Sequence, residues 1–277
     1  MSTTTQVRFQ AHNINPAIGS RIVADKDTLL SGDYAADIRE LLEKRGVLVF
    51  PQINMSDAEQ IAFTKTLGNF TKEIYGDEVY KVTMDTSENS RADYLKGAFY
   101  WHIDGTMSDV PILASILTAK VLAPSGGDTE FCNTYAAYDA LPEAKKKEIA
   151  QLRVLHSFWN SQCYHNPEPT LEKLEQWMAL GTKELPLVWT HRSGRKSLVL
   201  GNSAEYVIGV DSMTSARLLH GLREWCTTEP FFYRHQWSPG DMVIWDNTGT
   251  MHRATPYDPA CGRMMHRTKL AGEEPFA

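Results

Sequence analysis

The chain has 277 residues, of which 42% are hydrophobic and 22% charged, and its formal net charge is −6. A chain of this size and balance can bury a large core, and it reads as one globular domain over residues 1–277 rather than a disordered or fibrous protein. The negative charge, the absence of a long basic run and the lack of any apolar run near the ~18 residues needed to span a bilayer argue against nucleic acid or a membrane as partner.

The opening MSTTTQVRFQAHNINPAIG lacks a charged segment followed by an apolar one, so no signal peptide is expected. Four scattered cysteines (Cys132, Cys163, Cys226 and Cys261) form no CxxC pair and no readable disulfide framework, which suits a cytoplasmic protein with reduced thiols. Ala35, Ile38, Leu41 and Leu42 share one helical face in YAADIRELLEKRG, and Gly46 is a natural stop. VLVF (Val47 to Phe50) reads as a buried strand, and Ser56 with Glu59 has the spacing of a capping box opening a helix that ends near Gly68.

FYWHID follows, read as a strand that sets His102 and Asp104 on one face. ILASILTAKVL, KSLVLGN, FFYRHQW and MVIWDN are further strand-like runs, separated by turn signals such as PSGGD, HRSGRK and SPGD. Helical patches at LPEAKKKEIAQL and SMTSARLLHGLREWCTT interrupt them. The pattern predicts an α+β, mainly β architecture, an antiparallel sheet sandwich with flanking helices. Ser157 to Pro186, rich in His, Asn, Pro, Trp and Glu, reads as a partly helical lid insertion over one mouth of the sandwich.

A histidine and a carboxylate converging from one strand supply two ligands of a facial metal triad and call for one more histidine. His156, His165, His191, His220, His235, His252 and His266 are the candidates. His252 stands out because it follows a strand and a glycine turn in GDMVIWDNTGTMH, and a late strand of a double-layer barrel can return beside an early one. Eleven residues on, Arg263 offers a planar fork for a carboxylate, and Arg267 would share its face on a strand. Two inward cations are costly without anions to neutralise them.

Taken together, WHID (101–104), GGDTEFCNTYAAYDALP (126–142), HRSGRKSLVL (191–200), WSPGDMVIWDNTGTMHRATPYD (237–258) and RMMHRTKLAGEEP (263–275) resemble the taurine dioxygenase / 2,4-dichlorophenoxyacetate dioxygenase family. The resemblance covers nearly the whole chain. It implies a double-stranded β-helix (jelly-roll, cupin-like) core and an enzyme that uses Fe(II), 2-oxoglutarate and O2 in the cytoplasm, often as a homo-oligomer. It implies His102, Asp104 and His252 as iron ligands, Thr129 and Arg263 as holders of the distal carboxylate of 2-oxoglutarate, and Arg267 as holder of an anionic group on the substrate. Tyr100, beside the first ligand, is a further substrate-binding candidate. Retention of Asp104 argues against halogenation, since halogenating relatives lack that carboxylate.

WDNT in place of the WDNR of many relatives is a departure, and Phe70 to Ala98 gives no residue-by-residue match. Lys72, Lys81 and Lys96 in that stretch read as solvated surface. The motifs lean toward the aryloxyalkanoate branch, so the expected substrate is a small anionic molecule such as an aryloxyalkanoate or another carboxylic acid. An organosulfonate or sulfate ester comes second, an amino-acid-like molecule hydroxylated or desaturated in biosynthesis third, and a non-catalytic binding jelly-roll last.

Overall fold

A computed structural model describes residues 9–73 and 76–277, so the first eight residues of the segment read for a leader lie outside it. In chain order the first half carries β1 (Gln10–Asn13), β2 (Ser20–Val23), α1 (Lys26–Leu30), α2 (Ala35–Arg45), β3 (Val47–Phe50), α3 (Asp57–Leu67), β4 (Phe70–Thr71) and β5 (Tyr80–Val82). A 3-10 helix (Tyr94–Phe99) leads to β6 (Ala114–Val121), β7 (Thr129–Asn133), α4 (Thr134–Asp139), α5 (Glu143–Ile149) and β8 (Arg153–Ser157). Then come α6 (Phe158–Cys163), α7 (Leu171–Met178), β9 (Thr182–Pro186), β10 (Val188–Thr190), β11 (Lys196–Leu198) and β12 (Ala204–Val207). The chain closes with α8 (Ser212–Cys226), β13 (Phe232–His235), β14 (Met242–Asp246), β15 (Thr250–Ala254) and β16 (Met264–Leu270).

The local signals behave as their chemistry dictates. Gly46 ends α2 with its N–H on the Leu42 carbonyl (2.7 Å). Ser56 and Glu59 form the capping box of α3, the Glu59 carboxylate accepting from the Ser56 N–H at 2.7 Å.

The large sheet has the order β1-β2-β3-β14-β6-β16-β4, with β5 also on β16, and all of its pairings except β2 with β3 are antiparallel. Its central strands are buried on both faces, β3 and β14 at every position and β6 over its first six residues, so they are largely apolar at successive positions rather than alternate ones. From β3, β14 and β6, Leu48, Phe50, Met242, Ile244, Ala114 and Ile116 point to α2 and α3, where Ile38, Leu42, Phe63 and Leu67 meet them. Val47, Val49, Val243, Trp245, Leu117 and Ala119 point the other way, packing with Phe131 of β7 in the interior between the large sheet and the three-stranded sheet β13-β7-β15. This is the jelly-roll core, with helices outside it. The sheets β12-β8-β9 and β10-β11 and helix α8 share a second apolar cluster that includes Val154, Leu185, Leu198 and Leu219.

One buried amide ties the helix layer to the sheet. Gln60 of α3 donates to the Ile116 and His266 carbonyls (3.1 Å each) and accepts from the Thr118 hydroxyl (2.8 Å), bridging β6 and β16.

The stretch from Ser157 to Pro186 is partly helical, as expected. It leaves on Ser157, which caps α6, passes through α7 and returns as β9 antiparallel to β8. Rings join it to the 3-10 helix and the residue after it: Tyr94 stacks on Phe158 (5.7 Å) and Tyr100 meets Tyr164 edge-on (5.2 Å). The FYWHID reading needs correction. Phe99 closes the 3-10 helix, and His102 alone forms an isolated bridge, opposite His252, before a turn. Gly97 within that helix accepts from the Asn202 amide and from the Tyr100 N–H, which fixes the helical turn over residues that the strand reading took as extended; the backbone becomes extended only at Tyr100. Among the described residues, no helix is long and apolar enough to cross a membrane.

Two stability predictions follow from buried polar groups. Gln60→Leu leaves the Thr118 hydroxyl and two strand carbonyls without their partner, so urea unfolding should show a loss of about 2–3 kcal/mol. His156, fully buried with its Nδ1 on Ser203 (2.9 Å), is pushed down by burial to about 3. Its folded pKa lies below the unfolded value of 6.5, so its contribution is complete above pH 6.5 and fades as pH falls toward 3. Between pH 7 and pH 5 this residue should cost the wild type about 2 kcal/mol, and His156→Gln should flatten the urea-derived stability profile by that amount.

Candidate active site

Reciprocal backbone bonds set the first two elements of the site side by side. The His102 N–H donates to the His252 carbonyl (3.1 Å) and the His252 N–H to the His102 carbonyl (3.0 Å). On its other side, the His102 segment is pressed against Gly201, where an added Cβ would stand 3.0 Å from the His102 Cα; only glycine permits that approach at a φ of +117°. Next to it the Asn202 N–H donates to the Trp101 carbonyl (2.8 Å). The segment is therefore fixed by backbone contacts, although it is not a strand.

His102, Asp104 and His252 each present a ligand atom within 4.8 Å of the others. His102 Nε2 stands 3.7 Å from Asp104 Oδ1, and His252 Nε2 stands 3.8 Å from Asp104 Oδ2. These separations are too long for hydrogen bonds and suit three donors sharing one cation. His102 Nδ1 lies 2.8 Å from the Tyr100 carbonyl, which can only accept; Nδ1 therefore carries the proton and Nε2 keeps its lone pair for a metal. Burial, helped by His102, holds His252 well below the usual imidazole range, which keeps it neutral as a ligand must be. Burial works to raise Asp104, but His252, Arg267 and His102 outweigh it and hold the carboxyl at about 2. Of the other histidines considered, His156 contacts Ser203, His191 contacts Glu274 and Ser197, His220 contacts Arg223, His235 contacts Tyr233 and Asp241, and His266 contacts Asp57. His165 Nδ1 is buried without a partner, away from the triad.

Arg263 is the strongest sign of an absent anion. It is only 3% exposed, and no carboxylate among the described residues lies within ion-pair distance of it. The guanidinium donates to the Gly127 carbonyl (2.9 Å) and lies over the Tyr257 ring, 4.8 Å from Cζ to the centroid, while its Nε is buried without a partner. A Cβ on Gly127 would come within 2.8 Å of that Nε, so the glycine is what admits the side chain. Thr129, two residues along on β7, accepts from the Trp237 indole N–H (3.0 Å), which leaves its own hydroxyl proton free to donate. A buried guanidinium and a hydroxyl with a proton to donate are groups suited to an anion such as a carboxylate.

Arg267 does face inward, but it has company. Its NH1 lies 3.4 Å from Asp104, while its NH2 and Nε reach Glu73 at 3.0 and 3.3 Å. Lys269, on the same face of β16, binds the second oxygen of Glu73 at 2.9 Å. The sequence reading missed Glu73, which has no motif around it, and Lys269, which lies within RMMHRTKLAGEEP but was given no role there. It also missed Ser115, whose hydroxyl lies 3.4 Å from Asp104 and accepts from the Asn247 amide (3.1 Å). Tyr100 enters through its carbonyl on His102, while its ring turns toward Tyr164. Lys72, Lys81 and Lys96 pair with Glu78, Glu88 and Asp93 at the surface. Asp246 and Thr248 serve the turn before β15, the Asp246 carboxylate accepting from the Thr248 N–H and hydroxyl.

Known proteins with this arrangement are similar along the whole chain. The family model described as taurine catabolism dioxygenase TauD, TfdA family matches residues 10–269. The 2,4-dichlorophenoxyacetate dioxygenase of Cupriavidus pinatubonensis is 35% identical over 256 residues, 86% of this chain and 88% of that one. The sulfate ester dioxygenase of Pseudomonas putida is 31% identical, over 97% of this chain and 91% of that one. The crystal structure of AAD-2 with Mn(II) and N-oxalylglycine superimposes with a TM-score of 0.83 at 31% identity, covering 98% of this chain and 100% of the other. The chain belongs to the TauD/TfdA family of Fe(II)- and 2-oxoglutarate-dependent dioxygenases.

Proposed function

We propose that the protein oxidises a small organic anion, an aryloxyalkanoate or a related carboxylic acid, with His102, Asp104 and His252 holding Fe(II), Arg263 and Thr129 holding the distal carboxylate of 2-oxoglutarate, and Arg267 receiving the anionic head of the substrate. The observation that carries this reading is the pairing of an inward three-donor cluster with a buried arginine, Arg263, that has no carboxylate within ion-pair distance among the described residues. Bound Fe(II) and 2-oxoglutarate would supply the oxidising power, with O2 consumed, succinate and CO2 released, and one oxygen atom delivered to the substrate.

The chain's own part is binding, orientation and exclusion of water. Neutral His252, His102 with its proton fixed on Nδ1, and ionised Asp104 offer three donors on one side and leave the opposite side open. Arg263 and Thr129 demand a cosubstrate with a second carboxylate, so a monocarboxylic keto acid would leave the buried cation unpaired. The aryl preference is supported by the paired rings of Tyr94 with Phe158 and Tyr100 with Tyr164, on the segment leading into His102. Helices α6 and α7 lie beside those rings as a lid. A sulfate ester or sulfonate is the second reading, supported by the Pseudomonas putida relative. Each candidate is a small molecule, and the whole chain acts as one catalytic domain in a homo-oligomer.

The substrate class is tested by supplying 2,4-dichlorophenoxyacetate, (S)-2-phenoxypropionate, an alkyl sulfate and an alkylsulfonate with Fe(II), 2-oxoglutarate and O2. Succinate should rise with an aryloxyalkanoate; a rise with the sulfur acids alone would move the assignment to the second reading. Asp104→Ala should abolish that succinate and weaken Fe(II) binding by about 100-fold or more in anaerobic chelator competition. Arg263→Gln should raise the KM for 2-oxoglutarate by about 10–100-fold and erase its advantage over a monocarboxylic keto acid, as read by steady-state kinetics with both.

A further inference from the structure

Glu73 lies in a stretch of sequence, 70–98, that gives no residue-by-residue match to the family, yet it stands among the charges beside the triad. Its carboxylate is 11% exposed and divided between two cations: one oxygen takes the NH2 and Nε of Arg267, the other takes Lys269. Arg267 and Lys269 are i and i+2 on β16 and project to the same inner face, so without an anion between them they would repel each other in a confined space. Lys269 is 8% exposed and has no other carboxylate partner among the described residues.

The geometry of Arg267 follows from that division. Glu73 occupies the NH2 and Nε side of the guanidinium, and NH1 is the end left facing Asp104, at 3.4 Å. Tyr80 of β5 lies under the guanidinium, 5.1 Å from ring centroid to Cζ, and limits its tilt. Released from Glu73, the guanidinium has one nearby anion to turn to, the Asp104 carboxylate. A closed Arg267–Asp104 pair would draw charge from a metal ligand and leave less for a cation shared with His102 and His252.

We propose that Glu73 is a positioning residue: it restrains Arg267 to a single long NH1 contact with Asp104, keeping the carboxylate available to the metal and the NH1 end of the guanidinium available to the anionic head of the substrate. Glu73 thereby serves two ligands without touching either. It also sets a limit on substrate charge. With Lys269 and the NH2 and Nε side of Arg267 taken by Glu73, NH1, in long contact with Asp104 at 3.4 Å, is the end of this guanidinium left to meet a head group, which suits a singly charged one. The substrate half of this inference rests on the function proposed above; the metal half does not.

The test compares wild type, Glu73→Gln, Glu73→Asp and Glu73→Gln/Arg267→Met in the full chain. Fe(II) affinity is read by anaerobic chelator competition, and steady-state kinetics use 2,4-dichlorophenoxyacetate. Glu73→Gln should raise the Fe(II) Kd by about 5–10-fold and the KM for 2,4-dichlorophenoxyacetate by about 10-fold, with a smaller change in kcat. Glu73→Asp should recover part of both. The double variant should return the Fe(II) Kd to within about 2-fold of wild type, because the arginine that invades Asp104 is gone; a purely structural role for Glu73 would not be rescued this way. An unchanged Fe(II) Kd in Glu73→Gln, or no recovery in the double variant, overturns the tether. A fall in KM overturns the substrate half, since Glu73 would then be a competitor for Arg267. If the wild type does not oxidise 2,4-dichlorophenoxyacetate, the aryl assignment fails while the Fe(II) series still decides the role of Glu73.

Discussion

The site depends on a pair of backbone hydrogen bonds. The exchange between His102 and His252 joins a short irregular segment to a regular strand, and without it the two imidazoles would have no reason to meet. β15 is held rigidly from the other side, since His252 pairs with Phe131 of β7, whose ring lies in the sandwich interior. The segment around His102 has no such ladder. It is clamped between the bridge and the close approach of Gly201. A rigid half and a clamped half give three donors fixed positions while leaving one side of them uncovered by regular structure.

The other constraint is electrostatic. An enclosed interior that holds Arg263, Arg267 and Lys269 on or next to one strand has a cost that apolar packing cannot meet. Glu73 and Asp104 answer part of it, and the part left over is concentrated on Arg263, which is buried and has no ion partner among the described residues.

Features encoded by neighbouring residues were legible in the sequence. The capping box at Ser56 and Glu59, the stop at Gly46 and the apolar strands β3 and β14 all rest on contacts within a few positions. The triad was legible because His102 and Asp104 are adjacent and because the motifs around His252 and Arg263 carry a family resemblance. The same apolar setting misled the reading of FYWHID as a strand. Alternation there arises because Trp101 and Ile103 join the second apolar cluster while the residues between them face the site; it does not arise from a ladder. Glu73 and Lys269 were invisible for a different reason: each is an ordinary surface residue type, and its meaning comes only from the partner that β16 and the segment after β4 bring to it.

β16 also acts as a ruler. Arg263 stands just before it and Arg267 within it, four residues apart, and a strand rises by roughly 3.3 Å per residue, so their backbone positions are separated by roughly 13 Å. In the proposed assignment, the first arginine grips the far end of the cosubstrate and the second the head of the substrate. The span between the two anions is then written into the pitch of one strand, which loop changes elsewhere cannot alter. Variation among substrates is confined to the tail that extends away from β16, toward the aromatic helix and α6, where the chain is free to diversify without moving the chemistry.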